Sequence, residues 1–242
     1  MSTVKIQDEP VSSEKESSMT AQWIDLSQPL FPGMPGAKPH GEFEHWTDHV
    51  ATPNPIHIRI THVKMAAHMG THIDAAAHFM PDGKVIDGYP TSHFVGEGVV
   101  LDIQREGVSP IDVDDIKMAG PPIREGDIVL IYTGYASRFG TEDIHSSGHP
   151  YITEEAAHWL VAKGVRLFGM DVFTPDLPDG FRPDGFDWPV HQILLGHDTL
   201  IIENLGPGLA KVAGHRVEVL AVPIRVHDSD AGPVVPLARV IS

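Results

Sequence analysis

The sequence predicts an α/β domain with a mixed sheet and a β-rich N-terminal part. Short β-branched runs recur after residue 98, capped helical segments separate several of them, and the opening alternates apolar with polar residues as strands do. At 242 residues and 41% hydrophobic, the chain has material for one sizeable core. Neither an internal repeat nor a linker divides it, so residues 22–242 are expected to form a single domain. Residues 1–21 are polar, lack the apolar stretch of a secretory signal, and are expected to form a disordered tail.

In order along the chain, AQWIDLSQPLFPGMPGAKPHGEFEHW carries Pro and Gly at turn spacing, and IHIRITHVKM alternates like a half-buried strand. The runs VVLDIQ (99–104), DIVLIYT (127–133), VRLFGMD (165–171), TLIIEN (199–204) and RVEVLAVPIRV (216–226) read as further strands. SPIDVDDIKMAG predicts a helix capped by Ser109, with Pro110 in its first position and Gly120 beyond its end. TEEAAHWLVAKG repeats the scheme with Thr153 and Gly164. In FDWPVHQILLGHDTLIIENLG, Asp187 is the expected cap of a short helix, Pro189 lies in its first turn and Gly196 stops it. That helix carries His191 near its start, and the strand after it ends in Glu203.

Composition removes several function classes. Lys and Arg total 17 against 33 Asp and Glu, a formal charge of −16, and no basic stripe exists to track a phosphate backbone, so nucleic acid is not an expected partner. The acidic surplus suits divalent cations and disfavours anionic membranes, although it also serves plain solubility. No apolar run reaches the roughly 18 residues of a membrane span. The absence of cysteine excludes disulfides, thiolate metal sites and cysteine nucleophiles, and is compatible with the cytoplasm, the expected location. No GxSxG elbow is present, which disfavours serine hydrolysis.

The stretch HMGTHIDAAAHF (68–79) concentrates three histidines and an aspartate among small and apolar residues. A helix would aim His72 and Asp74 in different directions, whereas a strand or loop after a turn at Gly70 brings His68, His72, Asp74 and His78 to one side. Two neutral imidazoles and a carboxylate converging on one point are the ligands of an open catalytic zinc or manganese site. The zincin motif HExxH is excluded, because Met69 stands where its glutamate belongs. Accidental clustering is the competing reading in a chain with 16 histidines, but polar groups buried among Ala, Met and Ile need partners. Glu203, ending the apolar run TLIIE, is either an exposed strand end or an acid compensated by a metal.

HMGTHIDAAAHF resembles the HxGTHxDxPxH signature of the cyclase family of metal-dependent hydrolases, which includes bacterial kynurenine formamidase and isatin hydrolase. WIDLSQPLFPGMP, VLIYTGYASRFG, VRLFGMDVFTPD and HQILLGHDTLIIENL extend the resemblance over roughly residues 23–236. It implies a swivelling β/β/α domain assembled as a homodimer or homotetramer, with one or two divalent ions, Mn²⁺ or Zn²⁺, per chain. By motif position, His68, His72 and Asp74 would hold one metal, and Asp74 would bridge to a second held by His191 and Glu203. His78 would be the general acid/base. The implied activity is hydrolysis of a small non-peptide amide or cyclic amide (a formamide, lactam or imide) by metal-activated water. Lactone or ester hydrolysis on the same site, or a catalytically silent binding member, are the alternatives. Two departures stand out: Ala76 replaces the family's proline, and Met34 the aspartate that often follows the N-terminal Pro-Gly. The second, with the insertion-like GAKPHGEFEHWTDHVATPNP, falls where the substrate pocket would form.

Overall fold

The computed structural model describes residues 22–36, 38–50, 58–140 and 148–241. The tail expected over residues 1–21 lies outside them. One nine-stranded mixed sheet organises the chain. From edge to edge it runs β1 (Ile24–Asp25), β13 (Leu237–Val240), β11 (Arg216–Leu220), β5 (Val95–Asp102), β7 (Ile128–Tyr132), β9 (Leu167–Met170), β10 (Leu200–Glu203), β4 (His72–Asp74) and β12 (Ala231–Pro233). The central β5, β7, β9 and β10 are mutually parallel, and antiparallel strands flank them on both sides. Parallel strands are covered on both faces, which is why the middle of each reads as a short, mostly apolar run: VVL, IVLI, LFGM and LII. Their residues Val99, Val100, Leu101, Ile128, Val129, Leu130, Leu167, Phe168, Leu200, Ile201 and Ile202 are all fully buried.

Among the described residues, three α-helices accompany the sheet: α1 (Val113–Met118), α2 (Glu154–Ala162) and α3 (Pro189–Leu195). Helix α2 begins at the predicted cap, with Thr153 Oγ1 accepting from Ala156 N, and Gly164 follows it at φ +73. Helix α1 corrects the reading of SPIDVDDIKMAG. Asp112 is the cap, accepting from Asp114 N and Asp115 N, while Asp115 accepts from Asp112 N in a reciprocal capping box. Pro110 and Ile111 instead form β6 (Pro110–Ile111), paired with β8 (Tyr151–Ile152). The run 216–226 is strand only to Leu220. Pro223 has no N–H to continue the ladder.

IHIRITHVKM is strand as expected over β3 (Ile58–Lys64), but it is not half-buried. It forms a separate antiparallel hairpin with β2 (Glu44–Val50), which leaves Trp46, Ile58, Ile60 and Val63 exposed. Trp46 stacks flat on His62 across the hairpin, with ring centroids 4.8 Å apart. Among the described residues, no helix is long and apolar enough to cross a membrane.

Candidate metal centre

All six sequence-predicted site residues come to one place, at the β10–β4 pair. In β4 the side chains alternate, so His72 and Asp74 share a face while Ile73 enters the core on the other. The antiparallel register sets His72 directly opposite Glu203, and opposed residues share a face, so Glu203 joins them. Ahead of the strand, Gly70 at φ +67 turns the chain so that His68 folds back toward Asp74. A Cβ at that glycine would also stand 2.5 Å from Leu30. The extended reading fails at His78, which arrives through a tight 3₁₀ turn (Ala76–His78) that follows the strand. His191 descends from the first turn of α3.

Asp74 is the hub. Its Oδ1 lies 2.7 Å from His68 Nδ1 and 3.3 Å from His72 Nε2, and its Oδ2 lies 3.6 Å from His191 Nε2. Glu203 reaches His191 Nε2 at 3.2 Å through Oε1 and His72 Nε2 at 3.5 Å through Oε2. Close as these atoms are, they do not point at one another: His72 Nε2 and both Asp74 oxygens are buried without a hydrogen-bond partner. A buried polar group left unpaired costs about 1–3 kcal/mol, so three in contact call for a shared partner. A divalent ion with N and O ligands is that partner. The ligand atoms fall into two sets, each within 4.8 Å: His68, Asp74 and His78, and His72, Asp74 and Glu203. Both contain Asp74, the residue expected to bridge.

The outward-facing ring nitrogens fit the same reading. His72 Nδ1 pairs with Gly70 O at 2.9 Å, His191 Nδ1 with Asp176 Oδ2 at 2.6 Å, and His68 Nε2 and His78 Nδ1 with Asp230 Oδ2 at 2.9 and 3.2 Å. A carbonyl or carboxylate only accepts, so each of these nitrogens carries the proton. With an ion bound, the second nitrogen of His68, His72 and His191 would present its lone pair to the centre.

The electrostatics demand positive charge there. Burial opposes a charge on His68, yet Asp74 and Asp230 outweigh it and raise its pKa to about 9. Burial likewise works against His72 and His191, whose pKa values are nonetheless raised by Asp74 and Glu203, and for His191 above all by Asp176. The imidazoles of His72, His191 and His68 overcome burial at Asp74 and hold its carboxyl well below the usual range. Without an ion, protons supply the charge that the two buried acids require. His78 goes the other way: burial lowers its pKa, so it is neutral at pH 7 and free to accept a proton.

Sequence reasoning missed two residues. Asp176, fully buried, receives Val190 N, His191 N and His191 Nδ1, so it caps α3 from a distance and fixes the ligand imidazole. The expected cap, Asp187, does not act. Trp188 occupies that position at φ 54, a conformation costing about 1–3 kcal/mol for a residue with a side chain. Asp230, just ahead of β12, joins His68 to His78. Neither has a local signature, since the partners of Asp176 lie 14 or 15 residues away and those of Asp230 lie 152 or more. Asp176→Asn is expected to weaken metal binding by roughly 10- to 100-fold, as loss of a carboxylate behind a ligand histidine commonly does. Metal titration followed by calorimetry checks this, and unchanged affinity would remove Asp176 from the centre.

Size alone does not locate the centre. A cavity of about 590 Å³, lined by Tyr151, Glu154, Phe186, Asp187 and Val190 among others, touches Asp176 but none of the six site residues.

The family described as "Putative cyclase" matches residues 24–177. Kynurenine formamidase of Erythrobacter litoralis (strain HTCC2594) is 32% identical over 212 residues, covering 86% of this chain and 89% of that one. A solved potential metal-dependent hydrolase with cyclase activity superposes with a TM-score of 0.70 at 26% identity, covering 91% of this chain and 98% of that one. Isatin hydrolase A from Labrenzia aggregata shares the fold with a TM-score of 0.79 at 23% identity, over 95% of this chain and 99% of that one.

Proposed function

The chain belongs to the cyclase family, and from that premise we propose that it is a metal-dependent hydrolase of small non-peptide amides, formamides or cyclic amides. The observation that carries this reading is the buried cluster of inward-facing imidazoles around an unpaired Asp74. His68, His72, Asp74, His191 and Glu203 would hold one or two ions, Zn²⁺ or Mn²⁺, both of which suit nitrogen and carboxylate ligands. When bound, such an ion lowers the pKa of water from 15.7 toward about 7 and polarises a carbonyl.

The chain's own residues supply the proton transfers. Asp230 holds the Nδ1 proton of His78, so Nε2 is the basic nitrogen. It accepts the proton of the attacking water and delivers it to the leaving nitrogen, which would otherwise depart as a strongly basic anion. Phe79 packs against both rings, 4.8 Å from His78 and from His191 between ring centroids. The test is a panel of N-formyl arylamines, isatin-like lactams, cyclic imides and lactones, each with and without Mn²⁺ or Zn²⁺. Metal-dependent turnover of a formamide or cyclic amide is expected. Turnover of lactones alone would replace amide by ester chemistry, and no turnover by a metal-loaded protein would make the chain a binding member.

The protein is further read as a homodimer or homotetramer. A two-stranded hairpin is marginal by itself, and β2–β3 leaves Trp46, Ile58, Ile60 and Val63 exposed, an apolar surface suited to a second copy. Light scattering at micromolar concentration is expected to give two or four chain masses; a single-chain mass would overturn the assembly. The cysteine-free sequence supports a cytoplasmic setting.

A further inference from the structure

A chain of buried hydrogen bonds runs behind the ligands and takes no part in the proton transfers. Gly70 O, which accepts the His72 Nδ1 proton at 2.9 Å, also accepts from Asn204 Nδ2 at 3.2 Å. Asn204 O in turn accepts from Thr71 Oγ1 at 2.6 Å, and Thr71 Oγ1 accepts from Gln28 N at 2.7 Å. Gln28 Nε2 donates to Ala136 O and Leu205 O, at 2.8 and 3.2 Å. Gln28, Thr71, His72 and Asn204 are all buried. A carbonyl oxygen only accepts, so it is the NH₂ end of the Asn204 amide that faces Gly70. No local pattern marks this contact, since 134 residues separate the two partners.

Gly70 and Thr71 stand immediately ahead of His72, and Asn204 immediately after Glu203, the pair that the β10–β4 register sets opposite each other. Two side-chain bonds therefore tie the strands beyond the ladder in opposite directions, Asn204 to the Gly70 carbonyl and Thr71 to the Asn204 carbonyl. The backbone at Asn204 has φ 56, in the left-handed region, which asparagine tolerates better than most residues with a side chain. Glycine would meet that requirement with less strain, so conformation alone does not call for an amide. The amide acts instead on Gly70, which has φ +67 and no side chain to fix its peptide by packing, and whose carbonyl holds His72 in the tautomer with Nε2 toward the centre. We propose that Asn204 is a positioning residue for the metal centre: by fixing the Gly70 carbonyl it orients the His72 ring and keeps His72 Nε2 beside Glu203 Oε2, 3.5 Å away. This rests on the metal-centre reading above and adds to it a residue outside both ligand sets.

The test uses the full chain stripped by a chelator, with Zn²⁺ affinity measured by competition against a chromophoric chelator and the visible absorption of the Co²⁺-loaded protein as the record of ligand geometry. Asn204→Gly keeps the left-handed backbone and removes the amide. It is expected to fold, to bind Zn²⁺ roughly 10- to 100-fold more weakly than the parent, and to shift the Co²⁺ absorption bands. Asn204→Ser, whose hydroxyl is too short to reach Gly70 O, is expected to do the same, and takes the place of the glycine variant should that one not fold. A tie that merely stabilises the fold would lower the melting temperature of the metal-free protein and leave affinity and spectrum at their parental values, and that result would overturn the assignment. If the parent itself binds neither ion, the metal-centre reading falls and this inference with it. If the parent binds both and the variants match it, the inference about Asn204 alone is wrong.

Discussion

Asp74→Asn is expected to empty the centre of metal and take amide hydrolysis below detection. Asp74 is the residue that both ligand sets share, and its two oxygens face different imidazoles. Asparagine preserves the shape but removes the charge, and its NH₂ group would aim protons at one of the imidazole lone pairs. Three histidines whose charged forms Asp74 stabilises would then lose that counter-charge, the main one for His68 and His72. The catalytic stake is large. Coordination shifts the pKa of water by roughly nine units, about 12 kcal/mol at 1.36 kcal/mol per unit, which no single side chain replaces. Elemental analysis and turnover on a variant whose circular dichroism matches the parent decide the matter. Metal at the parental level would remove Asp74 from its central position.

His78→Ala is expected to behave differently: metal and fold retained, kcat lower by about 10² to 10⁴, the usual worth of a general acid/base. His78 is half-buried, its Nδ1 is engaged by Asp230, and burial keeps it neutral. The pH dependence follows in sign. The active form is the neutral base, so kcat/KM should fall as pH drops through the pKa of His78, which lies below the ordinary 6.5, and this acid limb should vanish in the variant. Because a nitrogen of His78 lies within 4.8 Å of the ligand atoms of His68 and Asp74, metal content must be measured on the same sample. Depleted metal would make His78 a ligand, and near-normal turnover with metal intact would make it a packing residue.

What the sequence disclosed depended on whether the deciding contact was local. Runs such as DIVLIYT and TLIIEN were legible because strands buried on both faces leave a one-dimensional trace, and Thr153 because a cap acts within three residues. Ser109 and Pro110 misled because the stronger cap, the reciprocal Asp112–Asp115 pair, lay a few residues further on and β8 claimed Pro110 and Ile111 as a strand. The hairpin's alternation correctly indicated extended chain but could not indicate that β2, rather than the main sheet, was its neighbour. For the site, the compact group at 68–78 and the late His191 and Glu203 were visible as residue types at characteristic spacings. Their convergence was not, since the β10–β4 register that sets Glu203 against His72 joins positions 131 residues apart (203 − 72). Asp176 and Asp230 stayed hidden for the same reason: each acts through a contact that exists only once the sheet has closed.

The most direct test of the account is to follow metal per chain and hydrolysis of a formamide or cyclic amide together, in protein stripped by a chelator and then titrated with Zn²⁺ or Mn²⁺. The stripped protein is predicted to be inactive, with turnover rising in proportion to bound metal and reaching its maximum at one or two ions per chain. Full turnover in protein shown by elemental analysis to hold no metal would contradict it.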